Sequence, residues 1–176
     1  MYISYRKNDQ TPNDLLLIVD SWTCFKDHET IQSLVPEGKR LTIRNIPPGA
    51  TSIIQPLDVY FFRIFKDFIK RVHSFIMAYS SEFIIHHREN ILKVLEVVWN
   101  QFCNPCFQPF LQYSWRKIGY IDGADQPFYT PVQICFPSDV AQDCQHLGCT
   151  SVSFIRCSYC ANYLYFNHFV INKDYH

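Results

Sequence analysis

Nowhere does this chain string together the roughly 18 apolar residues that a helix needs to cross a bilayer. Its first residues, Met-Tyr-Ile-Ser-Tyr-Arg-Lys, lack the apolar segment of a secretory leader. Net charge is missing too. Lys+Arg and Asp+Glu both number 16, so any nucleic-acid claim has to rest on local patches or motifs. No internal repeat, low-complexity stretch or helix-turn-helix is visible. Without a secretory route, disulfides are not the default state of the eight cysteines. What is present excludes disorder over the whole length: 48% of the 176 residues are hydrophobic and 16% aromatic, enough to bury a core. The length suits one domain, or part of a larger one with a small appendage.

Leu15-Leu16-Leu17-Ile18-Val19 is a short apolar run ending in Asp20, and it predicts a strand buried on both faces of a sheet. Residues 27–35 have helical spacing, with Asp27 as cap and Pro36-Glu37-Gly38 as stop. Residues 40–46 alternate and predict a second strand, so strand, helix and strand form a βαβ-type unit. After a Pro-Pro-Gly loop, residues 58–77, 83–99 and 107–118 show three further helical patterns. The stripe Phe61, Phe62, Phe65 and Phe68 on the first of these is expected to be core. Residues 119–131 are rich in turn formers and predict a loop.

Asp20 ends the first strand, and Asp58 opens a helix, where the dipole favours a carboxylate. Either alone is explained as a cap. Their flanking residues say more. Leu16-Leu17-Ile18-Val19-Asp20-Ser21-Trp22 and Ile46-Pro-Pro-Gly-Ala-Thr-Ser-Ile-Ile-Gln-Pro-Leu-Asp58-Val59 closely resemble the DDE domain of pogo- and Tigger-type transposases, the group that includes centromere protein B and jerky relatives. The resemblance covers residues 14–72, with a weaker continuation to about residue 121. It implies an RNase H-like sheet and two divalent cations, usually Mg²⁺, about 3.5–4 Å apart at a phosphodiester. Carboxylates suit such hard ions. Asp20 and Asp58 correspond to the family's second and third acidic residues. The family's first lies on a strand well upstream, and neither Asp9 nor Asp14 follows a strand-like run. The expectation is therefore an incomplete triad that binds the metal pair poorly.

Near the C-terminus Cys144, Cys149, Cys157 and Cys160 crowd together beside His146, His168 and His176, a clustering that points to metal. Cys157-x2-Cys160 followed by spaced histidines has the ligand chemistry of tetrahedral Zn²⁺. Short strands before Cys157 and after Cys160 would set the knuckle, and a metal would stabilise a module too small for its own core. The layout is similar to cross-brace zinc fingers. That likeness implies one site from Cys144, Cys149 and His168 and another from Cys157, Cys160 and His176, each one ligand short. Tyr165 stands where a cysteine would be expected. A decayed finger with reduced thiols is the alternative, with disulfides a third reading. The scattered Cys24, Cys103, Cys106 and Cys135 are expected to be small buried hydrophobes.

Arg63, Lys66, Lys70 and Arg71 form a basic face on the helix that Asp58 opens. It reads either as a track for a phosphate backbone or as a solvated helix face partly offset by Asp67. His28, His86 and His87 have no partners at ligand spacing. The chain is thus expected to be α/β: a truncated RNase H-like domain over 1–121, with two or more strands and flanking helices, a linker over 122–133 and a zinc-finger-like tail over 134–176. The resemblance implies a nuclear, transposase-derived nucleic-acid-binding protein, DDE endonuclease-like but catalytically incomplete. Its partners would be DNA and, through the tail, protein, with no membrane. Mg would be an ancestral cofactor and Zn a cofactor of the tail. A domesticated protein-interaction module, or a gene fragment without function, stands as the alternative.

Overall fold

The computed structural model describes residues 13–80 and 82–173. It divides into two compact units, Met1–Asp58 and Val59–His176. Asp9 and His176, both named in the sequence analysis, lie outside the described residues.

In the first unit, β1 (Asp14–Val19) pairs in parallel with β2 (Arg40–Asn45), from Asp14 opposite Arg40 to Val19 opposite Asn45. Parallel strands cannot be joined by a tight turn, and the crossover here carries α1 (His28–Ser33). Asp27 caps α1 as expected, its Oδ1 accepting the Thr30 backbone N–H at 3.1 Å and its Oδ2 the Thr30 hydroxyl at 2.6 Å. These hydrogen bonds hold the Asp27 carboxyl below its usual value. His28 Nε2 meets Asn45 Oδ1 at 2.7 Å, and Gln32 donates to the Leu41 carbonyl at 3.2 Å, fastening α1 to β2. One expectation fails: β1 is not buried on both faces. Val19 is buried, but Leu16 is 54% exposed. Among the described residues the two-stranded sheet has a single crossover α-helix, α1, and burying both faces of a strand takes elements packed on both sides of the sheet. A short helix, α2 (Thr51–Ile54), follows the Pro-Pro-Gly loop.

A π-helical turn, Leu57–Phe61, precedes α3 (Phe62–Tyr79). In the second unit α3, α4 (Arg88–Phe102) and α5 (Gln108–Lys117) bury one stripe each, led by Phe68, Val72 and Ile76, then Val94, Val97, Val98 and Phe102, then Phe110. Phe61 and Phe68 are core, while Phe62 and Phe65 are half-buried. The start of α4 lies later than the spacing suggests. Asn90 Nδ2 donates to the Ile84 carbonyl at 2.9 Å, closing a turn before the helix, and Phe83 points away to meet Phe166 at 5.2 Å. Thr130 closes a capping box with Gln133 and opens α6 (Pro131–Cys135). Two short antiparallel strands follow, β3 (Ile155–Arg156) and β4 (Tyr163–Leu164), and then a π-helical turn, Asn167–Ile171.

The Cys/His-rich stretch does not stand apart from these helices. Phe154 packs on Phe75 at 4.6 Å, and Phe166 contacts both Phe75 and Phe83. Phe154, Ile155, Leu164, Phe166, Phe169 and Val170 are all buried. Of the scattered cysteines, Cys135 is buried as expected. Cys24, Cys103 and Cys106 are exposed, because Cys24 sits on a surface 3₁₀ turn and the other two flank the turn that Asn104 and Pro105 impose. No helix among the described residues is long and apolar enough to cross a membrane.

Candidate metal centre

The loop from Cys144 to Ser151 is closed by its own backbone. Cys144 N donates to Ser151 O at 2.9 Å, and Cys149 N donates to His146 O at 3.0 Å. The reversal passes through Gly148 at φ 77°, a left-handed conformation that a side chain would strain. This folds the two thiols toward each other. His168 arrives from the π-helical turn after β4, where Phe169 N donates to Tyr165 O at 3.1 Å. The ligand atoms of Cys144, Cys149 and His168 all lie within 4.8 Å of one another.

Backbone amides surround the sulfurs. Cys144 Sγ accepts the N–H of Tyr165 at 3.2 Å and of His146 at 3.5 Å. The Ser151 backbone N–H bonds the Cys149 thiol, joined by the Ser151 hydroxyl, His168 and Cys144, and together they lower Cys149 to about 7 against an opposing push from burial. Donors aimed at a sulfur favour its thiolate, which is the form that binds metal. His146 adds a residue that spacing alone did not select as a ligand. Its ring stacks on His168 with centroids 3.9 Å apart and planes 10° from parallel.

Cys157 and Cys160 form a second knuckle. Ala161 N donates to Cys157 O at 3.0 Å, and Ala161 takes φ 61° to complete the turn. Burial raises the Cys157 thiol, opposed by the backbone N–H groups of Cys160 and Tyr159; the neighbouring Cys160 thiol raises it further. This knuckle is bolted to the end of α4. Gln101 Oε1 accepts the Ser158 backbone N–H at 2.7 Å, Asn104 Nδ2 donates to Ser158 O at 2.7 Å, and the Tyr159 hydroxyl donates to Asn100 O at 3.0 Å. The sequence signals this clasp only weakly: Gln101 is a polar residue on the apolar stripe of its helix, wholly excluded from solvent.

Residues 115–176, the stretch holding both knuckles, match the family model of the Tc5 transposase C-terminal domain. This supports a transposase-derived protein. Curated proteins give no match to the chain, and solved structures give none. The Tc5-like stretch begins within α5 and includes α6, β3, β4 and all the tail cysteines.

Asp20 follows β1, half-buried, its Oδ1 accepting the Trp22 N–H at 2.9 Å. Asp58 is exposed in the first turn of the π-helical segment, its N–H donating to Gln55 O at 3.0 Å. Among the described residues no group of three metal-sized ligands includes either carboxylate. Arg63, Lys66, Lys70 and Arg71 are exposed along α3. Lys70 lies 3.6 Å from Asp67, and the Arg71 guanidinium sits 5.7 Å above the Phe136 ring.

Proposed function

We infer that this chain is a transposase-derived DNA-binding protein whose C-terminal stretch is held in shape by zinc. The observation that carries the reading is the convergence of Cys144, Cys149 and His168 inside the Tc5-like residues. Two thiolates and an imidazole are the donors that tetrahedral Zn²⁺ prefers. Bonds of about 2.3 Å to sulfur and 2.0 Å to nitrogen put ligand atoms roughly 3.5–3.8 Å apart, so atoms lying within 4.8 Å of one another need at most about 1.3 Å of closure. Bound there, zinc would supply structure rather than chemistry. Cys157 and Cys160 supply two thiol donors for a second site of the same kind.

For the first unit, the Asp20 and Asp58 motifs support descent from a pogo- or Tigger-type DDE domain. The parallel pair β1 and β2 with its α1 crossover is compatible with part of an RNase H-like sheet. Among the described residues Asp20 and Asp58 belong to no three-ligand group, and two carboxylates are a poor cage for two hard cations. Asp20 and Asp58 answer to that domain's second and third acidic positions, and this chain alone is read as catalytically incomplete. The basic residues of α3 supply phosphate contacts, and the place of action is the nucleus. One observation favours an added role in docking protein: Leu147, at the tip of the Cys144–Cys149 loop, is 97% exposed.

Anisotropy of a labelled duplex across a salt series tests the DNA reading. Affinity should fall steeply as salt rises, and the joint change of Arg63, Lys66, Lys70 and Arg71 to Ala should flatten that slope. Absence of binding at about 50 mM salt, within the range where such contacts are strongest, would overturn it.

A further inference from the structure

A groove of about 370 Å³ opens beside α3, lined by Lys70, Arg71, Phe75, Tyr79, Phe136 and Phe154. Its wall is aromatic. Phe75 packs against Phe154 at 4.6 Å and leans on Tyr79 at 5.1 Å, with the planes of that second pair 40° apart. Tyr79 forms the outer lip at 75% exposure, while Phe75 and Phe136 are half-buried. Arg71 lies above the Phe136 ring, so its charge stands at the mouth of the groove.

Basic groups lead to this mouth. Arg63, Lys66 and Lys70 recur at i, i+3 and i+7 and so share one face of α3, spanning about 10 Å along its axis at 1.5 Å per residue. All three are exposed, and Asp67, 3.6 Å from Lys70, offsets part of their charge. A positive track that ends at an exposed aromatic shelf is how proteins hold single strands: phosphates follow the cations, and unpaired bases stack on the rings. A duplex hides its base faces and has nothing to offer the shelf.

We propose that this groove takes an unstacked base of single-stranded DNA, with its flanking phosphates on Lys70, Arg71 and Lys66. The proposal rests on the DNA-binding reading and adds a strand preference to it. Tyr79 supplies the outer stacking face, and Arg71 both stacks and carries charge.

The test compares three labelled ligands of equal length on the full chain: a pyrimidine single strand, the same strand with abasic sites, and a duplex. The base-bearing strand should bind roughly tenfold tighter than the abasic one, within the range that base–aromatic stacking supplies. Tyr79→Ala should erase that preference and Tyr79→Phe should keep it, with circular dichroism unchanged in both because the side chain is exposed. Lys66→Ala should weaken binding of all three ligands alike. Equal binding of base-bearing and abasic strands, or a preference that survives Tyr79→Ala, would overturn the groove while leaving the DNA-binding reading intact. A polyglutamate peptide bound as tightly as the single strand would also overturn it. No binding of any nucleic acid would remove both readings.

Discussion

Gln101 and Ser158 join the last turn of α4 to the Cys157–Cys160 knuckle: the Gln101 side chain, wholly excluded from solvent, accepts the Ser158 backbone N–H at 2.7 Å, and the Ser158 hydroxyl returns a bond to Gln101 O at 3.2 Å. The cysteine-rich stretch is therefore fixed to the helices by polar contacts as well as by aromatic packing.

Replacing Gln101 with Leu keeps the bulk but leaves the Ser158 N–H without its acceptor. Stranding this part-buried donor costs about 1 kcal/mol, the low end for a lost partner, because the substitution also removes the buried Gln101 Nε2 that has no partner. Urea denaturation should show a loss of that size in Gln101→Leu, and an unchanged midpoint would contradict the clasp.

Phe166 is 1% exposed and touches Phe75, Phe83 and Phe154 from three sides. Phe166→Ala should cost about 3–5 kcal/mol through lost burial and a residual cavity. The loss should appear in helix signal by circular dichroism, because the side chain bridges the tail and α3. A melt in which α-helical signal is unaffected would show that the tail is an independent appendage.

Much of the fold was readable in the sequence because the relevant signals are local. The run at Leu15–Val19, the cap at Asp27 and the alternation in residues 40–46 each mark their own element, and β1, α1 and β2 follow. Cys144, Cys149 and His168 could be grouped because the cross-brace pattern pairs alternate ligand sets, and the structure brings those three together. The clasp by Gln101 and Asn104 is barely legible: a polar residue on an apolar stripe hints at a buried partner, but the partner lies more than fifty residues away and no local pattern names it. The exposure of Leu16 is illegible in the sequence for a related reason. An apolar run reports how a strand could be buried, and whether both its faces are covered depends on the elements packed on the sheet. α4 starts later than the spacing predicts because Phe83 meets Phe166 and Ile85 lies in a turn, so neither extends the helical stripe.

Asp27 gives a pH signature in the first unit. Its carboxyl lies below the ordinary 3.8 when folded, because of the two hydrogen bonds from Thr30. A lowered folded value means that the stabilisation is fully present above the unfolded value and is lost as pH falls through the folded one. The stability difference between wild type and Asp27→Ala should thus hold constant from pH 7 to about 5 and shrink below about 4. A difference that grows on acidification would reverse the assignment.

Proton competition gives a second pH dependence. Zinc binds the thiolate, and Cys149 gives up its proton at about 7. Below that pH the metal must displace the proton, so zinc affinity should fall progressively as pH drops from 7 to 5. Competition with a chromogenic chelator across that range measures it. An affinity flat in pH would exclude thiolate ligation at Cys149.

Zinc counted on the intact protein tests the account most directly. Native mass spectrometry of protein purified without added chelator should show bound zinc. Cys149→Ser should remove it from the site shared with Cys144 and His168, with helix signal and thermal stability falling together. Wild-type protein that is fully folded and carries no zinc, before and after incubation with the metal, would contradict the reading of this stretch as a metal-held transposase tail.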